Sequence, residues 1–251
     1  MANSTSGETV AERIVRVLET FDTDRTVQTS AEIARRARLP SSTAYRIVSE
    51  LVECGLLEKD AEHRVMLGMR LWELALRGSR ALRLRQTALP YMERVQSRIG
   101  EHTQLAVLEH DEALFVERLS HPRAGANITR IAGRLPLHAS SSGLVLLAFG
   151  PEELRERVLR GPLEAVSRDT VTDPKRLGAV LAGIRRDGFV VAPGSVETVS
   201  TGVAVPVREG RGPVIAALSA VLPRDTPPRP AVEELRAAAA GISAALGAHR
   251  S

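Results

Sequence analysis

The chain predicts a two-domain α+β protein: an N-terminal winged helix-turn-helix, then an antiparallel sheet with flanking helices, with a linker helix between them. Two short amphipathic segments and a hairpin pattern stand together at residues 29–67. A segment apolar nearly all round follows at 68–80, and strand patterns then flank a helical stretch between residues 103 and 221. At 251 residues the chain is long enough for domains of about 70 and about 170 residues. The expected divisions are a loose tail at 1–8, the winged unit at 9–68, the linker at 69–80 and the second domain at 81–251.

Each element of the first domain has a local cause. Val10, Ile14, Val17, Leu18 and Phe21 form the apolar stripe of a first helix. Thr29 and Glu32 stand at capping-box spacing, opening a second helix whose inner face is Ile33, Ala34 and Ala37. Pro40 sits where the third helix should start, a place that tolerates its missing N–H. Ala44, Ile47, Val48 and Leu51 then recur at i, i+3, i+4, i+7 and form a buried face. Ser42, Tyr45, Arg46 and Ser49 take the opposite side, with hydroxyl, aromatic and guanidinium groups that suit base edges and phosphates in a major groove. Gly55 ends that helix, and GLLEK and HRVML pair as strands around Asp60, Ala61 and Glu62. Lys59, His63 and Arg64 would lie on this wing, close to a flanking phosphate or the minor groove.

Charge supports nucleic acid by its placement, not its total. The chain carries a formal +4, yet residues 1–80 hold 12 basic and 12 acidic groups. Between Ile33 and Ser49 there is no acidic residue, while Arg35, Arg36, Arg38 and Arg46 are present. No run of about 18 apolar residues exists to make a membrane span. The N-terminal MANSTSGET lacks an apolar core and is expected to be a tail, not a signal peptide. The single cysteine, Cys54, excludes an internal disulfide and a cysteine zinc site; it is expected to be a small buried residue. The expected compartment is the cytoplasm, with nucleoid association when bound to DNA.

In the linker, Met69, Leu71, Trp72, Leu74, Ala75 and Leu76 cover most of the helix circumference and leave a polar wedge of Arg70, Glu73 and Arg77. Such a helix must be covered, and the same helix of a second subunit supplies that cover most simply. A homodimer, or a tetramer built from it, would read a palindromic or pseudo-palindromic operator.

The second domain opens with a helix over 82–99, with Leu84, Leu89, Met92, Val95 and Ile99 inward. TQLAVLEH and EALFVERLS form a hairpin turning at Asp111, and a third strand is expected near ANITRIAG. SSSGLVLLAFG and PEELRERVLRG read as short helices. Asp173 and Pro174 start a further helix closed by Gly188. GFVVA, TGVAVPV and PVIAALSAV resume the sheet, and a helix over 231–247 ends the chain.

Catalysis finds no support. His63, His102, His110, His121, His138 and His249 show no paired metal spacing. His138 beside Ser140 and Ser141 lacks a GxSxG elbow, and is expected to hold its loop by hydrogen bonding. Neither GxxxxGK[ST] nor GxGxxG occurs, so no nucleotide cofactor is expected.

The stretches LPSSTAYRIVSEL, GLLEKDAEHRVMLG, GRLPLHASSSGLVLLA and TGVAVPVREGRGPVIAALS resemble the IclR family of bacterial transcription regulators, over residues 9–248. The resemblance implies a GAF-like effector-binding second domain, dimers or tetramers, and DNA binding altered by a small ligand. The DNA contacts expected on the helix pair and wing are Arg36, Ser41, Ser42, Thr43, Tyr45, Arg46, Lys59 and Arg64. The resemblance places the effector between the sheet and the helix after the PLHA motif, against Ser140, Ser141, Ala192, Gly202 and Ser219. Free N–H groups at a helix start favour an anion such as a carboxylate, although serine there is equally a plain helix cap. The chain departs from the family where acidic residues are common: it has Ala192, Pro193, Gly194 and Ser195, keeps Glu197, and has Val199 where glycine is usual. That loss argues against a small hydroxy- or keto-acid effector and leaves an apolar effector or a redundant pocket open. The expected function is an effector-modulated transcription regulator, a repressor in preference to an activator. The alternative is a small-molecule-binding or hydrolytic α+β enzyme whose winged helix contacts proteins. Salt-sensitive DNA binding separates the two.

Overall fold

The computed structural model describes residues 7–22, 24–121, 124 and 129–248. It divides into two compact units, Met1–Ser79 and Arg80–Ser251. No helix of the described residues is long and apolar enough to cross a membrane.

The first unit holds α1 (Val10–Leu18), β1 (Val27–Gln28), α2 (Ser30–Arg36), α3 (Ser41–Glu53), β2 (Leu57–Lys59), β3 (Val65–Leu67) and α4 (Met69–Gly78). The expected capping box of Thr29 with Glu32 forms on α2, and a second one, Thr9 with Glu12, opens α1. The Thr29 backbone N–H donates to Glu32 and, with the Thr29 hydroxyl, holds that carboxyl below its usual range. Pro40, expected as the first helical residue, is instead the N-cap of α3, because its ψ of 139° is extended, and the helix starts one residue later at Ser41. Ala44, Ile47, Val48 and Leu51 are all buried and close a core with Val17, Ile33, Leu57 and Val65. Cys54 corrects one expectation: it is the C-cap of α3 and exposed, since it follows the last buried turn of that helix. Gly55, at φ +72°, takes the left-handed step that ends α3.

The wing carries a strand the sequence pattern does not show. β1 pairs antiparallel with β3, through Val27↔Met66 and Gln28↔Val65, giving the order β1-β3-β2. Two residues are too short for a period-2 signal, so only pairing reveals β1. No residue of α4 is buried within its unit, and Met69, Trp72, Leu74 and Leu76 are exposed.

The second unit begins with α5 (Arg80–Ile99) and the hairpin β4 (His102–Glu109) and β5 (Glu112–Leu119). The hairpin turns at His110 and Asp111, both at positive φ, a pair that matches strand twist. The third strand, β6 (Arg134–Pro136), lies beyond the ANITRIAG segment expected to form it. Ala126, Asn127 and Ile128 of that segment lie outside the described residues, and Ile131–Ala132 form a turn. Then come α6 (Ser141–Phe149), α7 (Glu152–Arg160), α8 (Pro174–Asp187), β7 (Val190–Pro193), β8 (Ser200–Arg208), β9 (Val214–Pro223) and α9 (Arg229–Ala248). The antiparallel sheet runs β6-β5-β4-β9-β8-β7.

Side-chain alternation separates two cores. Leu105, Val203, Val205, Val207, Leu218 and Leu222 face α5 and α9. Ala106, Phe115, Ala192, Ala204 and Ala217 face α6 and α8. In α5, Ala88 joins Leu84, Met92 and Val95 on the inner face, while Leu89 is only half-buried. Helix α6 is buried on every side, with Leu144, Val145, Leu146, Leu147 and Ala148 all inside. Its start is tight: a Cβ on Gly143 would stand 2.6 Å from the Leu137 carbonyl oxygen. This apolar rod presses its first turn against the small residues on the even positions of β8.

Candidate functional site

On α3 the outward residues form an exposed face. Ser41, Ser42, Tyr45 and Arg46 are exposed, and Thr43 and Ser49 are half-buried. The Lys59 ammonium of the wing sits 5.5 Å from the centre of the Tyr45 ring, joining wing and helix into one surface. The arginines there already hold carboxylates. Arg46 donates to Glu50 at 2.6 Å, and Arg64 donates to Asp60 at 2.8 Å and to Glu62 at 3.2 Å. Burial pushes the Asp60 carboxyl up, but hydrogen bonds from the Arg64 backbone and side chain outweigh it and leave it below its usual range. Arg36 is engaged within the domain, donating to Gln28 at 3.0 Å and to Asp22 at 3.2 Å. An exposed arginine held by a surface carboxylate is easily released, because such pairs contribute only about 0–1 kcal/mol.

The second unit contains a cavity between the sheet and the start of α6. It is small and partly open to solvent, with about 40 Å³ accessible to the centre of a water-sized sphere. Ser140, Ser141, Ala192 and Gly202, expected from sequence, line it. Ser219 stands behind the wall: Ser142 Oγ donates to Ser219 Oγ at 2.8 Å, and Ser219 pairs across the sheet with Gln104. Sequence reasoning missed Gln104, Phe115, Leu135, Val196 and Val221. Most of these come from strands far apart in the chain, and no local pattern links them.

Two features shape the inner end. Ser140 caps α6, accepting from the Gly143 N–H at 3.0 Å, which leaves the Ser141 and Ser142 N–H groups without intrahelical partners. Gly202 faces them from β8, and a Cβ there would stand 2.6 Å from Ser141 Oγ and 3.0 Å from its Cβ. Glycine therefore keeps the amide end of α6 open. Such an end favours a negative charge.

The outer wall is the connector from β7 to β8. Ser195 Oγ donates to the Ala139 carbonyl at 2.5 Å, tying the connector to the loop before α6. Ser167 donates to the Gly194 carbonyl at 2.5 Å and Thr170 to the Ser195 carbonyl at 2.7 Å. Arg224 bonds Asp169 at 2.5 Å and the Thr198 carbonyl at 2.8 Å. That guanidinium hydrogen bond holds the Asp169 carboxyl well on the ionised side of its ordinary value. The connector is short and is held largely by hydroxyl groups. His138 lies outside the cavity, and its Nε2 is 2.9 Å from the Glu164 carbonyl, an anchor for the loop that leads into α6. Among the described residues no cluster of histidine, cysteine and carboxylate side chains could hold a metal.

Comparison with known proteins agrees with both units. A family model for the IclR helix-turn-helix domain matches residues 10–61, and one for the bacterial transcriptional regulator IclR C-terminal domain matches residues 79–244. Among solved structures, an IclR homologue from Microbacterium hydrocarbonoxydans, complexed with 4-hydroxybenzoate, is 61% identical, with a TM-score of 0.92 over 96% of this chain and 100% of that one. An IclR homologue from Microbacterium sp. strain HM58-2 is 59% identical, with a TM-score of 0.64 over 95% and 98% of the two chains. The transcriptional regulator KipR of Bacillus subtilis is 27% identical, spanning 76% of this chain and 77% of its own length. With a helix-turn-helix face on one unit and a ligand cavity in the other, both matched by the family models, the chain belongs to the IclR family of DNA-binding transcription regulators.

Proposed function

We propose that this regulator responds to a small aromatic carboxylic acid, and that 4-hydroxybenzoate is the first ligand to test. The observation that carries the reading is the cavity itself. Phe115, Leu135, Ala192, Val196 and Val221 supply flat apolar cover, while the free amide end of α6 offers a place for one carboxylate. The relative solved with 4-hydroxybenzoate supports the same class of ligand. The absence of acidic residues at Ala192–Ser195 fits an aromatic body better than a small polar keto acid.

In this reading Ser41, Ser42, Thr43, Tyr45 and Arg46 enter the major groove, and Lys59 and Arg64 meet flanking phosphates. The exposed apolar residues of α4 pair with those of a second copy, giving a homodimer or a tetramer built from it that reads a palindromic or pseudo-palindromic operator. Ligand binding lowers operator affinity, and repression is the sense of control. The working divisions are 9–68, 69–80 and 81–251.

Genomic footprinting supplies operator fragments, and gel retardation with and without 4-hydroxybenzoate tests the coupling. Release of the fragment at ligand concentrations matching calorimetric affinity supports the reading. Binding of ligand with unchanged retardation refutes the coupling; no heat from any aromatic acid refutes the ligand class.

A further inference from the structure

The polar side chains that line the cavity are nearly all engaged within the protein. Gln104 donates to Thr129, Ser142 to Ser219, Ser195 to the Ala139 carbonyl and Ser200 to the Glu197 carbonyl at 3.2 Å; Ser140 is the α6 cap. Among the described lining residues, two polar side chains have no protein partner. One is Ser141, only 8% exposed, with its hydroxyl over Gly202 beside the free amides of α6. The other is the half-buried carboxylate of Glu197.

Ser141 lies at the start of α6, over Gly202 of β8. Glu197 belongs to the connector beyond the last β7–β8 pair, Pro193↔Thr201. The Ser200 N–H donates to the Glu197 carbonyl at 3.0 Å and the Gly194 N–H to the Ser200 carbonyl at 2.8 Å, so the backbone under Glu197 is held.

Among the described residues lining the cavity there is no lysine, arginine or histidine. Among those residues the amide end of α6 is the one positive feature, and Glu197 the one full charge. We propose that Glu197 accepts a hydrogen bond from a donor substituent on the ring of the bound acid, so that the cavity selects benzoates bearing such a donor. It rests on the aromatic-acid reading above and adds its specificity. A hydroxyl or amino group satisfies the carboxylate; a methyl ether or bare hydrogen leaves it half-buried and unpaired; a second carboxylate is repelled. A site built to bond a ligand donor discriminates strongly against the analogue lacking it.

Calorimetry on the full chain tests this with 4-hydroxybenzoate, 4-aminobenzoate, benzoate, 4-methoxybenzoate and terephthalate, against wild type, Glu197→Ala, Glu197→Gln and Ser141→Ala. Wild type is expected to bind the two donor ligands on the order of tenfold or more tighter than benzoate and the methyl ether, and to reject terephthalate. Glu197→Ala should erase that ranking. Glu197→Gln, which keeps an acceptor oxygen but not the charge, should retain the donor preference and admit terephthalate. Ser141→Ala should weaken every acid by a similar factor. A full donor preference in folded Glu197→Ala overturns the assignment, as does wild-type binding of terephthalate at the level of 4-hydroxybenzoate. If no acid binds wild type, the aromatic-acid reading falls and takes this assignment with it. If all bind alike, only the Glu197 assignment falls.

Discussion

Replacing Gly202 with alanine adds one methyl group to β8 where α6 begins, and its effects on stability and binding should diverge. Gly202 has ordinary strand backbone, so alanine removes unfolded-state freedom and gains roughly 0.5–1 kcal/mol. Against this, the new Cβ would stand 2.6 Å from Ser141 Oγ and 3.0 Å from Ser141 Cβ. Rotating the hydroxyl away leaves the second contact, so the first turn of α6 must shift. Overpacking of this kind costs about 1–3 kcal/mol. The net loss is then about 0–2 kcal/mol, a fall in melting temperature of a few degrees for a domain this size. Binding should suffer far more, because Ser141 is pushed toward the space a carboxylate needs. Two charge-assisted hydrogen bonds at about 1.5–3 kcal/mol each are at stake, which puts the loss at a hundredfold or more. Thermal unfolding with and without 4-hydroxybenzoate reads both effects together. Wild type at about a hundred times its Kd gains about 2.7 kcal/mol, and the variant should gain almost nothing. Operator retardation should persist and become insensitive to ligand. Ligand affinity within twofold of wild type would refute the placement of the carboxylate at α6.

Three further outcomes follow from other parts of the molecule. Arg46→Ala should cost about 1–3 kcal/mol of operator discrimination, whereas Glu50→Gln frees the Arg46 guanidinium from its 2.6 Å partner and should raise affinity for random DNA; retardation against operator and scrambled duplexes measures both. Charged replacements at Trp72 and Leu76, 60% and 39% exposed, should give monomers with weakened operator binding, and a variant that stays dimeric by ultracentrifugation points to another interface. Asp169, held low by the hydrogen bond from Arg224, should contribute its full stabilisation above the ordinary carboxylate range and lose it as pH falls through its depressed value. Asp169→Asn should therefore lower the melting temperature by a similar amount throughout pH 5–8, with the difference shrinking as the pH falls below the ordinary carboxylate range.

Residue order alone determined the local elements of the first unit. The capping box Thr29–Glu32, the stripe Ala44–Ile47–Val48–Leu51 and the glycine stop at Gly55 act within one or two helical turns, so their physics is contained in short windows. The β4–β5 hairpin was legible for the same reason, since its turn chemistry sits in two adjacent residues. The PLHAS and AVPV stretches also pointed to α6 and β8 as cavity walls. What only the tertiary structure decided is long-range. Pairing Gln104 with Ser219 brings together residues more than a hundred positions apart, and strand alternation then decides which of them faces α6. β1 exists only because β3 offers it a partner. Cys54 is exposed because of where the last buried turn of α3 falls. The need for glycine at 202 is likewise invisible along the chain: it arises from a serine sixty-one residues earlier, brought against β8 by the burial of an entirely apolar helix.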